Sequence, residues 1–181
     1  ANKAIQAKLD ALSTEKVDNI EIGGRNLTLG TSMVAIDGET ASGDGTGPSE
    51  NVRPLISFGS HTFEANQPYT LSFDLKADSG LKQISYNYLW GSDGQGNTSI
   101  DSIEVIDDNI WRRYSLTFSF PIERTGEIQI ATDTRRPGTA TNVPYSYRAA
   151  KLEKGNKATD WTPAPEDQVS DWSVTDVNSF A

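Results

Sequence analysis

The sequence predicts an all-β fold, a jelly-roll β-sandwich preceded by a short N-terminal helix. The first observation is that apolar and polar residues alternate with period two in several short segments between residues 21 and 167. The second is that clusters of Gly, Asp, Asn, Ser and Pro separate these segments, with no helical stretch among them. Such a pattern is typical of sandwiches and barrels, and the long connections favour a jelly roll over a tight meander.

Residues 1–20 differ in character from the rest of the chain. They are rich in Ala, Lys and Gln, contain no Gly or Pro, and place Ile5, Leu9 and Leu12 on one narrow apolar stripe. A stripe of this width is typical of a coiled-coil seam, which predicts a homo-oligomer in the full-length protein, a trimer being one candidate. The alternative is a helix folded onto the sandwich.

The strands are expected in the part of the chain between residues 21 and 167. The predicted strands are residues 26–29, 52–58, 69–75, 84–90, 113–120, 128–130 and 145–152. Residues 37–50, DGETASGDGTGPSE, show no periodicity and predict a long exposed loop. Residues 168–181 follow the last strand and are expected to form a linker or the start of the next segment.

Composition excludes several classes of partner. The chain has 181 residues, no cysteine and a net charge of −9, which argues against a nucleic acid or an anionic membrane as partner. No apolar run approaches the ~20 residues needed to cross a bilayer, so we expect no membrane insertion. A neutral ligand such as a sugar fits best by elimination.

An enzymatic function is not expected from the residues present. The single histidine, His61, lies in a turn-like stretch and is expected to be a solvated loop residue. The adjacent Asp107 and Asp108 precede Trp111 in what looks like an ordinary turn. The sequence shows no nucleophile motif, P-loop or histidine cluster.

The segment 84–90 is the first candidate for a ligand site. Ile84 and Tyr86 are expected to line the core, whereas Trp90 ends the strand beside the Gly-rich loop 91–99 and is expected at the rim, with Tyr88 near it. The opposite face of this strand would present donors and acceptors for sugar hydroxyls. These polar candidates are Gln83, Ser85 and Asn87.

A second candidate cluster follows at residues 133–136. Asp133 and Arg135 provide directional hydrogen bonds and are predicted to contact the ligand, while Arg136 is expected to be a solvent-exposed residue of the turn. Tyr147 and Arg148 lie just past the next loop and are predicted to join the same rim. Trp111 is expected to pack over an edge of the sandwich.

Two motifs carry a resemblance to a known family. Residues 151–167, KLEKGNKATDWTPAPED, closely resemble the ending of carbohydrate-binding-like jelly-roll modules in tail and baseplate proteins of phages that infect Gram-positive bacteria. Residues 22–27, IGGRNL, look like the start of the same modules. The resemblance implies a virion protein that acts outside the cell, binds host surface polysaccharide and assembles with other tail proteins. It also implies that residues 152–167 are a structural latch.

The resemblance gives no residue-by-residue ligand set and no cofactor. Some related sandwiches hold a structural calcium, and Glu153 and Asp160 are possible oxygen ligands, but their spacing is no signature, so no metal is predicted. Two other functions stay open. One is a structural spacer or oligomerisation module of the tail without a ligand. The other is a glycoside-processing enzyme, which requires two carboxylates across one groove.

Overall fold

The computed structural model describes residues 2–8 and 23–168 of the chain. Residues 2–8 form helix α1, in which Ile5 is 58% exposed. Leu9 and Leu12, the other members of the predicted stripe, lie outside the described residues. So do residues 169–181 of the predicted linker. In the described part of the chain, no helix is long and apolar enough to span a membrane.

The described residues of the sandwich contain ten strands and two short helices. The strands are β1 (Ile36–Glu39), β2 (Val52–Phe63), β3 (Tyr69–Ala77), β4 (Gln83–Ile84), β5 (Tyr86–Gly91), β6 (Thr98–Ser99), β7 (Ile103–Glu104), β8 (Arg112–Phe118), β9 (Arg124–Asp133) and β10 (Pro144–Lys154). The helices are α2 (Pro48–Asn51) and α3 (Pro165–Gln168).

Eight of these strands form two four-stranded antiparallel sheets. Sheet 1 has the order β1-β10-β3-β8 and sheet 2 has the order β2-β9-β5-β6, while β4 and β7 form a small separate pair. The pairing is nested along the chain: β1 with β10, β2 with β9, β3 with β8 and β5 with β6. A long hairpin rolled up in this way is a jelly roll, so the predicted fold class is confirmed.

The core lies between the two sheets and follows the predicted alternation. Leu71, Phe73 and Leu75 of sheet 1 are at most 1% exposed, and Ile128 and Ile130 of sheet 2 are fully buried. Burial of each such side chain stabilises the fold by roughly 1.5–3 kcal/mol. At one end of the sandwich an aromatic cluster extends the core, with Phe63 at its centre against Tyr69, Phe118 and Phe120.

Three predictions about individual segments are wrong. The predicted loop 37–50 contains most of β1 and α2, because β1 is a polar edge strand whose residues leave no alternating pattern. Residues 26–29 form no strand, although Leu27 N–H donates to Leu152 O at 2.7 Å. His61 lies within β2, which continues to Phe63 through a bulge at Gly59, where φ is +83°.

The two motifs at the ends of the sandwich meet in space. Asn26 Nδ2 donates to Ala150 O at 3.3 Å and to Thr162 O at 3.0 Å, and Arg25 forms an ion pair with Glu166. Trp161 Nε1 donates to Thr31 Oγ1 at 3.1 Å. These hydrogen bonds and the ion pair join the two motifs, as expected for a structural latch. Below, the name latch is restricted to residues 155–162, the part of the predicted segment 152–167 that follows β10 and contacts Lys151 and Glu153.

Candidate functional site

The strand that was predicted over residues 84–90 is interrupted at Ser85, between β4 and β5. After this break, the side chains of β5 that were expected to face the core face outward. Ile84 is fully buried as predicted, but Leu89 is the buried apolar residue of β5. Tyr86 and Tyr88 are partly exposed and Trp90 is 40% exposed. The prediction that Tyr86 lines the core is therefore wrong, because a break of one residue moves the following side chains to the other face.

Asn87, which was predicted on a polar outer face, points inward instead. It is 1% exposed, and its Nδ2 donates to Ile84 O at 3.1 Å and to Asp101 O. Both donors of the amide thus satisfy backbone carbonyl groups, and its Oδ1 has no hydrogen-bond partner among the described residues. Asn87 supports the break in the strand and is not part of a ligand surface.

The outward side chains of β5 form a row of stacked rings on the outer face of sheet 2. Tyr86 and Tyr88 stack with centroids 5.1 Å apart and planes at 15°, and Tyr88 and Trp90 lie 5.8 Å apart at 42°. We call Tyr86, Tyr88 and Trp90 the aromatic ladder. It confirms the exposed position predicted for Trp90 and extends along the whole strand.

A row of polar groups on β9 runs beside the aromatic ladder. Glu127 is paired with Trp90 and Gln129 with Tyr88 across the two strands, so each polar side chain lies next to a ring. Glu127 Oε1 accepts hydrogen bonds from Ser57 Oγ at 2.5 Å and from Gln129 Nε2 at 2.7 Å. These bonds hold the pKa of Glu127 below its ordinary value, so its carboxylate is charged at neutral pH.

The Gly-rich loop after Trp90 is fixed by a buried arginine. Arg124 Nε donates to Asp93 Oδ2 at 2.8 Å, and its two other nitrogens donate to Thr98 Oγ1 and Gly96 O, both at 2.5 Å. The pKa of Asp93 is lowered chiefly by its hydrogen bond with Arg124. This arrangement holds the Trp90 end of the aromatic ladder in a defined position.

The other end of the ladder lies near Arg135. Arg135 donates from Nε and Nη2 to the two oxygens of Asp133, both at 2.9 Å, while its side chain stays 41% exposed. Its pKa is raised, first by the hydrogen bond to Asp133 and to a lesser degree by the nearby Tyr86. Asp133 itself is fully buried, so the prediction that it contacts a ligand is wrong; it orients Arg135.

Tyr147 and Arg148 do not join this surface, contrary to the prediction. They belong to β10 in sheet 1, where Tyr147 is paired with Leu75 on the side of the core. Burial raises the pKa of Tyr147. Arg148 lies over the Trp111 ring at 4.3 Å and pairs with Asp74 at 3.4 Å.

Gln83 and Ser85 lie in a polar cleft beside the ladder rather than on it. The cleft has a volume of about 420 Å³ and also contains Ser99, which is paired with Tyr88, and Arg136. Ser85 Oγ is buried and has no hydrogen-bond partner among the described residues. Among the predicted residues, Tyr88 and Trp90 lie on the ladder, Gln83 and Ser85 lie in the neighbouring cleft, and Arg135 lies towards the Tyr86 end.

The two residues considered as calcium ligands have other roles. Glu153 is fully buried and accepts hydrogen bonds from Thr159 N and Thr159 Oγ1, both at 2.7 Å. The main-chain oxygen of Asp160 accepts a hydrogen bond from Lys151 Nζ at 2.8 Å. Within residues 2–8 and 23–168, no group of three His, Asp or Glu side chains is arranged to hold a metal ion.

Sequence reasoning missed Tyr86, Glu127, Gln129 and Arg124. A signal for two of them was present, because Glu127 and Gln129 alternate with the buried Ile128 and Ile130. The role of Arg124 had no local signal, since its partners lie about 30 residues earlier in the chain.

No protein-family model and no curated protein matches the chain in sequence. Among solved structures, the chain is similar to the tripod (BppUct-A-L) from the baseplate of bacteriophage Tuc2009, with a TM-score of 0.40 and 18% identity over 58% of this chain. The chain spans 41% of that protein. A similarity at this level carries no conclusion about function.

Proposed function

We propose that this chain is a non-catalytic saccharide-binding module of a phage tail or baseplate protein, which helps attachment to polysaccharide on the host cell. The observation that carries the proposal is the aromatic ladder on the outer face of sheet 2. Sugars present C–H patches beside hydroxyl groups, and aromatic rings supply a large contact area at low entropic cost. Glu127, Gln129 and Ser99 lie beside the rings as partners for the hydroxyl groups.

The phage setting rests on the resemblance of residues 22–27 and 151–167 to tail and baseplate modules. The proposal therefore includes a virion protein that acts outside the cell together with other tail proteins. One open sugar surface binds weakly, and linked copies gain avidity through effective concentration. A homo-oligomer built through the N-terminal helix would supply such copies.

The positions of the carboxylates favour binding over hydrolysis. Most glycoside hydrolases need two carboxyl groups on either side of the scissile bond. On the ladder face Glu127 offers one, Asp133 is buried against Arg135, and Asp101, in the neighbouring cleft, accepts a hydrogen bond from Ser102 N at 2.7 Å. Asp107 accepts a hydrogen bond from Gly80 N at 2.7 Å, and Asp108 is paired with Arg112, so both carboxylates stabilise the local turn.

The test is binding of the module, fused to a fluorescent protein, to Gram-positive cells and to polysaccharides extracted from their walls. Tyr88→Ala and Trp90→Ala are each expected to lower the affinity by about tenfold, because each removes one face of the sugar contact. Thermal unfolding of the variants should stay close to that of the unchanged protein, since Trp90 is 40% exposed.

Trp111→Ala is the matched control, because it removes an indole from sheet 1. We expect its affinity to stay within about twofold, as distant sites act independently. Absence of binding by the unchanged module to every cell and polysaccharide would contradict the proposal. So would an equal loss of affinity in Trp90→Ala and Trp111→Ala. Release of reducing sugar by the module would contradict its non-catalytic part.

A further inference from the structure

Glu127 is placed to meet whatever lies on the Trp90 ring. The two residues are direct partners across β9 and β5, and Gly126 brings the same two strands close together beside them, because a Cβ there would collide with Trp90 O. Both hydrogen bonds to the Glu127 carboxylate are accepted by Oε1. Its Oε2 accepts none from the residues that the structure describes, and the side chain is partly exposed.

The charge of Glu127 has no counter-ion within the described ranges 2–8 and 23–168. The two arginines at the ends of the ladder have other partners, since Arg124 is paired with Asp93 at 2.8 Å and Arg135 with Asp133 at 2.9 Å. The groups that hydrogen-bond to Glu127, Ser57 and Gln129, are both neutral. The outer face of sheet 2 therefore presents an unpaired carboxylate next to an exposed indole.

Both groups favour a cation over an anion. The face of an indole attracts ammonium groups through its quadrupole, and a carboxylate with one open oxygen attracts them through charge and hydrogen bonding. The net charge of the chain, −9, acts in the same direction over a longer range. A phosphate-bearing polymer would be repelled by the indole face, by the carboxylate and by the net negative charge of the chain.

We infer that the aromatic ladder selects saccharides that carry a free, protonated amine over their N-acetylated forms and over phosphate-bearing polymers, with Glu127 as the specificity-determining residue. This inference rests on the proposed function and adds the chemical class of the ligand. The sugar ring lies on the ladder, and the amine reaches Glu127 Oε2 at the Trp90 end. Acetylation removes the charge and leaves the ring contact.

The test compares two probes, a glucosamine hexasaccharide and the fully N-acetylated hexasaccharide, by titration calorimetry at neutral pH. The unchanged protein is expected to bind the free-amine form about three- to tenfold more tightly, a preference that shrinks with added salt. Glu127→Gln should bind both forms with the affinity that the unchanged protein has for the N-acetylated form. The Gln side chain keeps an oxygen for Ser57 and Gln129.

Glu64→Gln is the control for net charge, because it removes a carboxylate that is 61% exposed and paired with Lys154. It should retain the full preference for the free amine. Equal affinity for both probes, a preference that survives in Glu127→Gln, or no binding of either probe at millimolar concentration overturns the inference. None of these results affects the proposed function if Tyr88→Ala still lowers binding to cell-wall polysaccharide.

Discussion

Among the described residues, the outer faces of the two sheets carry similar side chains, but those of sheet 1 are paired with one another and with the latch, whereas the aromatic ladder of sheet 2 stays partly exposed. On sheet 1, Lys151 and Glu153 of β10 are at most 1% exposed because the latch packs over them. Lys151 Nζ donates to Thr159 Oγ1 at 2.7 Å, and both carboxylate oxygens of Glu153 accept hydrogen bonds from Thr159. The charged groups at this end of sheet 1 are thus fully partnered.

The rest of the sheet 1 face is closed by ion pairs. Asp74 lies between Arg113, at 3.0 Å, and Arg148, at 3.4 Å. Trp111 is contacted by two cations, Arg148 at 4.3 Å and Lys76 at 5.6 Å. The indole on this face is therefore already occupied by groups of the same chain.

Sheet 2 presents the same chemistry without such partners. Trp90 is exposed and Tyr88 is partly exposed, and Glu127, the strand partner of Trp90, has an oxygen that accepts no hydrogen bond from the described residues. The difference between the faces shows that an aromatic residue or a carboxylate does not mark a site by itself. On sheet 2, within the described part of the chain, no cation lies over the Trp90 ring and no counter-ion pairs with Glu127, which is why the proposed site lies on this face.

The strongest test of the comparison removes the buried pair on sheet 1. Glu153→Ala is expected to lower the free energy of unfolding by about 3–5 kcal/mol, because it leaves Lys151 charged and buried without its carboxylate. Urea unfolding measures the change. Glu64→Ala, which breaks an exposed pair with Lys154, should cost about 1 kcal/mol or less. Equal small losses in both variants would mean that the latch does not seal sheet 1.

A smaller change in free energy is expected when a cation is added to the outer face of sheet 2, so that its carboxylate and rings are paired as they are on sheet 1. Gln129→Arg places a guanidinium beside Glu127 and opposite Tyr88, as Arg148 lies beside Asp74 and over Trp111. We expect saccharide affinity to fall by about tenfold while stability is unchanged or slightly raised, since the new cation competes for the ring and the carboxylate.

Gln129→Lys extends this test, because a lysine brings the charge without the planar group. Its loss of affinity should be smaller than that of the arginine variant. If Gln129→Arg binds as well as the unchanged protein, the open ladder is not the saccharide site.

The sequence predicts the fold class because the core strands follow period two. Leu71, Phe73 and Leu75 alternate with polar residues, and that pattern predicts which face is buried without knowledge of the partner strand. The edge strand β1 was missed because an edge strand with a polar sequence, IDGE, has no buried face to produce the pattern. The nested pairing of the strands also has no local signal.

The site was predicted only in part, and the reason is a single residue. Continuous alternation from Ile84 to Trp90 assumes an unbroken strand, but the break at Ser85 places Ile84 inward and Tyr86 outward. The assumption of an unbroken strand therefore placed Asn87 on the outer face and Tyr86 in the core, so the aromatic ladder was predicted too short. The Asn87 amide holds this interruption through Asp101 O, 14 residues further along the chain, as well as through the nearby Ile84 O, so the shift has no complete local signal.

The break at Ser85 also yields the smallest predicted effect. Ser85 Oγ is buried and has no hydrogen-bond partner among the described residues, so removal of the hydroxyl deletes an unsatisfied group. Ser85→Ala is expected to raise the free energy of unfolding by up to about 1 kcal/mol, whereas Ser99→Ala, at an exposed position of β6, should change it by less than about 0.5 kcal/mol. Urea unfolding distinguishes the two. A loss of stability in Ser85→Ala would show that the hydroxyl has a partner in the folded protein. A gain in stability with reduced saccharide affinity would extend the binding surface from the ladder into the neighbouring cleft.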